Sequence, residues 1–574
     1  MDTSVRRPSI AVAAASVLCI MIQALHAAPA LVPKPVRADL ASGQFTITPA
    51  TRILYTTGDK RLADAAEYLA GRLSMAFDKT VAAAATDVAK PPPAAVLMTT
   101  AAADAALGDE GYALTVTPEG AVIRAPKAAG AFYGGITLLQ LAPAAAFRAP
   151  AMVEGKLGGQ PTVQPPRPCD RPNVSNARPV ASLAVACATV VDKPRFAWRG
   201  LLIDPARHFW TIDELKQYVD YLALHKLNSL QIHLTDHQNW CAEVMRYPTL
   251  TPDKARNQAD PRRLAEQTYH KLARRYYTQQ ELKSLVAFAA KRFVNIVPEF
   301  EMPGHSGAFL RGRPECGCTV NGRQMGGGEV CPGKEKTYQV LQGVLDEMLE
   351  VFPSRYIHIG ADECGKRHWR NCTDCRKRME AEGIKDVTQL HGYFVGRMSE
   401  YLQAKGRTLV GWDEILESGA KAGAIGMYWR SGRSDKLIEK ASKNGQHLVM
   451  TPTAHCYFDY VQSPDKASEP RGLGGSVITL KRVYELNPVP DYVKRSDPKL
   501  VLGAQANLWG ERMKTFPHVL YMTYPRACAL SEVAWSPPAG RSYAEFHKRL
   551  GRHLKRLDAA GINYRRPNAI DQPK

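Results

Sequence analysis

Two carboxylates stand side by side at Asp362-Glu363, directly after the apolar run Tyr356-Ile357-His358-Ile359-Gly360-Ala361. If that run is a strand its side chains alternate, with Ile357 and Ile359 directed outward and His358, Gly360 and Asp362 inward. Glu363 joins Asp362 only if the chain bends there, as it does where a strand ends. Neighbouring carboxylates that lose solvent repel each other, so one pKa rises and the pair offers a proton-holding acid beside an ionised partner. That is equipment for general acid–base chemistry. An isolated Asp-Glu step is usually a solvated turn, so the residues around it decide.

Those residues come from a regular pattern. Short apolar runs recur at 200–204, 229–234, 294–300, 356–360, 408–411, 424–428, 447–450 and 501–506. Each leads into a polar, aromatic-rich loop and then a segment with apolar residues at helical spacing, such as Leu215, Tyr218, Val219 and Leu222. Eight β-runs alternating with helices predict a closed (β/α)8 TIM barrel, whose functional side chains sit at the C-terminal strand ends. Those ends carry Arg207, Asp236, Glu301 with His305, Asp362-Glu363, Trp412 with Asp413, Trp429, Tyr457 with Asp459, and Trp509 with Glu511. Four of the eight tryptophans (Trp240, Trp412, Trp429 and Trp509) lie at or just past them. Aromatic planes stack on the C–H faces of a sugar while carboxylates and Arg bind its hydroxyls, so the expected substrate is carbohydrate. His305 and Asp236 are placed to orient the acid through a hydrogen-bonded relay. No Gly-rich phosphate loop follows the first barrel strand, which counts against a dinucleotide site.

Ahead of the barrel, residues 31–143 read as a small α+β domain. Phe45-Thr46-Ile47 and Arg52-Ile53-Leu54-Tyr55 are strand-like, 62–76 is helical, and Thr117-Pro118-Glu119-Gly120 joins two β-runs as a hairpin. Residues 144–194 are a Pro-, Gly- and Ala-rich linker and connecting segment, and 195–574 form the barrel with a C-terminal helix. Residues 1–28 read as a signal peptide: Arg6 and Arg7, an apolar stretch from Ile10 to Leu25, then Ala27-Ala28-Pro29-Ala30, with cleavage near 27–30. The stretch is short of the roughly 20 residues a spanning helix needs, so export to the periplasm or medium is expected rather than membrane insertion.

The 574 residues carry 75 basic and 55 acidic side chains, 75 − 55 = +20, with 45% hydrophobic and 23% charged residues. This is globular usage and excludes a disordered or fibrous chain. No Lys/Arg run interleaved with aromatics accompanies the charge, so no nucleic-acid partner is expected. Of twelve cysteines, Cys19 falls in the signal stretch and eleven remain, an odd number. Six cluster as Cys316, Cys318, Cys331, Cys364, Cys372 and Cys375. In a cytosolic chain Cys372-x-x-Cys375 among them would suggest zinc. In an exported one, disulfides pinning long loops are the stronger expectation, with connectivity unreadable.

The segments Arg195-Phe196-Ala197-Trp198-Arg199-Gly200, Asp204-Pro205-Ala206-Arg207-His208-Phe209 and His233-Leu234-Thr235-Asp236 resemble family 20 glycoside hydrolases, the β-N-acetylhexosaminidases. So do Pro298-Glu299-Phe300-Glu301-Met302-Pro303-Gly304-His305, His358-Ile359-Gly360-Ala361-Asp362-Glu363, Gly411-Trp412-Asp413-Glu414 and Gln505-Ala506-Asn507-Leu508-Trp509-Gly510-Glu511. The resemblance implies an exo-acting enzyme that removes terminal non-reducing β-linked N-acetylglucosamine or N-acetylgalactosamine with retention. The nucleophile would be the substrate's own acetamido oxygen, through an oxazolinium intermediate, one of the exceptions to the two-carboxylate scheme. It implies Glu363 as general acid and then base, and Asp362 as the carboxylate that orients the acetamido N–H. Tyr457 would donate to the acetamido oxygen, Trp412 and Trp429 would wall that pocket, and Trp509 would lie under the ring. Arg207, Asp459 and Glu511 would bind outer hydroxyls, and Asp236 and His305 would tune Glu363. The partners implied are N-acetylated amino-sugar oligosaccharides or glycans, with no cofactor and no metal at the site.

Two other classes are weaker. A sugar-binding protein without catalysis is opposed by the intact Asp362-Glu363 pair, Tyr457 and His305. A zinc hydrolase built on the cysteines lacks a His-rich ligand set. Departures from the family pattern fall at His237-Gln238-Asn239-Trp240-Cys241, at Ala361, in the loop 253–275 and in the proline-rich stretch before Phe196. They bear on substrate preference rather than reaction type.

Overall fold

The computed structural model describes residues 29–149, 169, 175, 177–251, 276–325, 327–419, 423–465, 469–470 and 472–573. The expected signal peptide, most of the proline-rich stretch and the loop 253–275 therefore lie outside the described residues.

The first domain is a seven-stranded sheet in the order β1-β7-β5-β6-β4-β2-β3. Its strands are β1 (Arg37–Ile47), β2 (Arg52–Thr56), β3 (Ala83–Thr86), β4 (Ala95–Thr99), β5 (Tyr112–Thr117), β6 (Gly120–Arg124) and β7 (Leu183–Asp192). β5 and β6 form the expected antiparallel hairpin. The helices Leu62–Phe77 and Ala128–Leu141 pack together; the first buries Leu62, Ala65, Leu69, Leu73 and Ala76, one stripe at helical spacing. The connecting segment needs a correction. Its residues 183–192 are β7, which runs antiparallel between β1 and β5 with Leu183, Val185 and Val190 buried, so it belongs to the sheet rather than to a linker.

All eight apolar runs of the second half become parallel strands of one closed barrel. They are β8 (Trp198–Ile203), β9 (Ser229–His233), β10 (Asn295–Glu299), β13 (Tyr356–His358), β14 (Thr408–Trp412), β15 (Ile425–Tyr428), β16 (Leu448–Met450) and β17 (Val501–Leu508). β17 closes onto β8, Gly503 facing Trp198 and Leu508 facing Ile203. A two-stranded excursion, β11 (Thr319–Val320) with β12 (Arg323–Gln324), interrupts the path from β10 to β13. The outer helices start where the sequence caps them: Thr211 with Glu214 and Thr278 with Glu281 form capping boxes before Ile212–Leu224 and Gln279–Ala290. No helix among the described residues is long and apolar enough to cross a membrane.

Buried ion pairs fix the small domain against the N-terminal ends of the barrel strands, the end opposite the dyad. Arg199 of β8 donates to both carboxylate oxygens of Glu110 at 2.7–2.8 Å. Asp192 at the end of β7 accepts from Lys226 at 2.9 Å, from the Tyr112 hydroxyl at 2.8 Å and from the Trp535 indole at 3.0 Å.

Candidate active site

The bend that the dyad requires is present. β13 ends at His358, and the chain then passes through positive φ at Gly360 (65°), Ala361 (71°) and Glu363 (47°). Glycine suits position 360, because the φ is left-handed and a Cβ there would lie 1.9 Å from the Glu301 Oε2. The result presents both carboxyls at the barrel mouth, Asp362 14% and Glu363 60% exposed.

The relay is also assembled. Buried Asp236, just beyond β9, meets Arg207 Nη2 at 2.6 Å, His233 Nε2 at 3.0 Å and His305 Nδ1 at 3.1 Å. Against the cost of burial, Arg207, His233 and His305 hold its carboxyl well below the usual range. The other nitrogen of His305 lies 3.4 Å from Glu363 Oε2 and 3.7 Å from Asp362 Oδ2. Burial opposes charge on His305, yet Asp362, Asp236 and Glu363 together push it up to about 11. Glu363 is lowered, chiefly by the His305 imidazole 3.4 Å away, whereas Asp362 is raised by burial and by Glu299 and Glu363, against His305, which lowers it. One pKa of the pair does rise, as expected. It rises on Asp362, the more buried partner, rather than on the residue whose implied role is that of acid.

Four aromatic rings line the mouth. Trp412 and Trp509 have centroids 5.8 Å apart, Trp429 and Tyr457 stack at 6.2 Å and 20°, and Tyr457 lies 6.3 Å from Trp509. The Arg207 guanidinium sits 5.2 Å over the Trp509 ring, a cation–π contact. Two of the three indoles are tied down: Trp412 Nε1 donates to Glu299 at 3.0 Å and Trp429 Nε1 to Glu414 at 3.0 Å. Trp240 is not part of this wall. It is buried among Phe300 and Phe309 with its N–H donated to the Ala242 carbonyl, because its position past β9 turns it into the core.

Asp459 is fully buried, neither of its carboxylate oxygens has a hydrogen-bond partner among the described residues, and Glu511 Oε2 is likewise unpaired. Burial, then the charges of Glu511 and Asp204, push the Asp459 carboxyl well above the usual range. Buried acceptors without donors are costly, and they are groups that a hydroxylated ligand would satisfy. Glu511 is 4.0 Å from Arg207, which is anchored on Asp204 at 2.9 Å. All eleven residues expected at the site thus come from the ends of the barrel strands.

The strand-end reading named Glu301 without a role and left out Glu299 and Glu414, which lie beneath this layer. Glu299 is a buried hub that accepts from Gln231 at 2.9 Å and from Trp412, and faces His233 at 2.8 Å and His358 at 3.0 Å. Burial works against its charge, but His358 and His233 hold it well below the usual range. Glu301 is also buried, with neither oxygen hydrogen-bonded among the described residues; burial and then Asp362 and Glu299 raise its carboxyl well above the usual range. Glu414, which fixes Trp429, is raised to about 8 by burial and by Asp362 and Asp413. Inward parity along β10 was the available signal for Glu299, since it shares a face with Val297 and Asn295.

The cysteine expectation is corrected. All eleven described cysteines are buried, and no disulfide joins them. Instead Cys318, Cys331, Cys372 and Cys375 bring their sulfurs within 4.8 Å of one another, while Cys316 and Cys364 stay outside that group.

Comparison with known proteins agrees with this geometry. Residues 196–538 match the description "Glycosyl hydrolase family 20, catalytic domain" and residues 28–157 match "Glycosyl hydrolase family 20, domain 2". A beta-hexosaminidase of Porphyromonas gingivalis is 36% identical over 469 residues, covering 80% of this chain and 55% of its own length. The chain thus spans about half of that relative. One from Akkermansia muciniphila is 33% identical over 464 residues, 79% of this chain and 85% of its own. Among solved structures, the Streptomyces plicatus N-acetyl-beta-hexosaminidase in complex with Thio-NAglucal superposes with a TM-score of 0.75 at 28% identity, covering 94% and 96% of the two chains. A Vibrio harveyi exo beta-N-acetylglucosaminidase in complex with N-acetylglucosamine gives 0.77 at 26% identity, covering 95% and 79%.

Proposed function

The chain belongs to glycosyl hydrolase family 20, and on that footing we propose that it is an exo-acting β-N-acetylhexosaminidase. It removes terminal non-reducing β-linked N-acetylglucosamine or N-acetylgalactosamine from oligosaccharides or glycans, with retention and with the substrate's acetamido oxygen as nucleophile. The observation that carries this reading is the chain Asp236–His305–Glu363 with Asp362 beside it, opening on rings and unpaired buried carboxyls.

The protonation pattern suits the sequence of steps. Glu363 is ionised beside His305 while its carboxyl is exposed. An aglycone seated over Glu363 removes that solvent, raises its pKa and draws a proton across the 3.4 Å contact from His305. Glu363 then gives this proton to the glycosidic oxygen as the bond to C1 breaks, and later takes one from the incoming water. Asp362 moves in the opposite sense. As the acetamido oxygen bonds to C1, positive charge grows on its nitrogen; the Asp362 carboxylate accepts that N–H and stabilises the charge. Tyr457, Trp412 and Trp429 hold the group beneath C1, and Trp509, Arg207, Asp459 and Glu511 hold the ring and its outer hydroxyls.

We also infer export, supported by Arg6, Arg7, the apolar stretch and the small residues before Ala30. The activity is tested with matched chromogenic glycosides. The N-acetyl-β-glucosaminide should be cleaved at least a hundredfold faster than the β-glucoside lacking the acetamido group; equal rates would remove the reading.

A further inference from the structure

We propose that Cys318, Cys331, Cys372 and Cys375 bind one zinc ion as a closed tetrathiolate site that ties the loop after β10 to the loop after β13. The sulfurs lie 3.7 Å apart for Cys318–Cys375, 3.7 Å for Cys331–Cys372 and 3.5 Å for Cys331–Cys375. A regular tetrahedron with zinc–sulfur bonds of about 2.3 Å has edges of about 3.8 Å. A disulfide singles out one partner for each cysteine, whereas Cys331 stands almost equally near two, and all four form one group. The split of six clustered cysteines into four convergent and two apart is the arithmetic of a tetrahedral ligand set.

The local backbone fits the same purpose. Cys372 is the N-cap of the helix Thr373–Ala381 and Cys375 lies in its first turn, so both sulfurs are at the positive end of the helix dipole, which favours thiolates. β11 and β12 fold the chain back between Cys318 and Cys331, and the Met325 N–H donates to the Cys318 carbonyl at 2.8 Å. Gly333, two residues past Cys331, packs against the Asp374–Cys375 peptide, where a Cβ would be 2.3 Å from the Cys375 nitrogen. Trp369, Val387 and Leu390 enclose the sulfurs in an apolar shell. With all four positions taken by protein, such an ion supplies no catalysis; its effect is on structure.

That effect reaches the dyad through short links. The Val330 N–H donates to the Pro303 carbonyl at 2.9 Å, two residues from His305, and the Val330 carbonyl accepts from Trp369 Nε1 at 2.9 Å. The Ser306 N–H donates to the Gly328 carbonyl at 2.7 Å. The ion would therefore pin the two loops that hold His305 and Glu363 in register.

The test uses the full chain purified without added metal. Elemental analysis should give one zinc per chain, a mercurial should release it to a chromogenic chelator, and thiol counting after denaturation without reductant should find these four cysteines free. Cys331→Ser should lower the zinc content at least tenfold, and Cys187→Ser, in β7, should leave it unchanged. A zinc-free wild-type chain, whether its four cysteines are free or joined as two disulfides, would overturn the proposal even if Cys331→Ser does not fold. Zinc retained in a folded Cys331→Ser would overturn it too.

Discussion

His305 places its Nε2 3.4 Å from Glu363 Oε2, and its opposite nitrogen is held by Asp236 at 3.1 Å. Glu363 thus has a proton source fixed at one distance before any sugar arrives. The same contact explains why Glu363 is lowered, while the rise in the dyad falls on Asp362 because it is the more buried carboxyl and faces Glu299 and Glu363.

Replacing Glu363 with Gln removes the proton donor while keeping its shape. General acid catalysis contributes about 10²–10⁴ in rate. The loss should be of that size for a sugar leaving group and much smaller for an acidic phenolate, which needs little protonation. Steady-state kinetics on both substrates check this, and equal losses would remove Glu363 from the role.

His305 also links stability to pH. Its folded pKa, about 11, is above the ordinary value of 6.5, so the imidazolium's contribution is fully present below pH 6.5 and is lost as pH rises through about 11. The melting temperature of the wild type should therefore exceed that of His305→Gln most at pH 6, and the gap should narrow towards pH 10. A gap that widens with pH would contradict the ion-pair assignment.

Gly360→Ala tests the bend. The new Cβ would lie 1.9 Å from Glu301 Oε2 at a φ of 65°, so either the turn or the Glu301 carboxyl must move. The left-handed conformation alone costs an L-residue about 1–2 kcal/mol. Chemical denaturation should show at least that loss, and kcat should fall by more than tenfold because the dyad is displaced. Wild-type stability and kcat would show that the bend is not what places it.

The barrel was legible because each strand is a short apolar run closed by a polar, aromatic loop, a signal that repeats eight times. The mouth residues followed from reading those ends. β7 was hidden by its neighbourhood: Leu183–Asp192 has the alternation of a half-buried strand, but it follows directly on the proline-rich stretch. Trp240 was misplaced because a position near a strand end does not say which way the loop turns its ring. Glu299 escaped because a buried carboxylate inside a strand needs partners from β9, β13 and β14, which only the closed barrel supplies. Cysteine convergence is likewise a property of two loops folded together, so neither spacing nor count distinguishes metal from disulfide.

The central claim is that the acetamido oxygen, held by Tyr457, Trp412 and Trp429 and assisted by Asp362, attacks C1. Replacing the acetyl hydrogens stepwise with fluorine withdraws electrons from that oxygen while barely changing its size, and an intramolecular nucleophile should feel it directly. The most direct measurement is the turnover rate along the mono-, di- and trifluoroacetamido series. The rate should fall steeply with each fluorine, and Asp362→Asn should both lower it and blunt the slope. A shallow dependence, with a glycosyl adduct trapped on Asp362 or Glu363 and seen by mass spectrometry, would contradict the account.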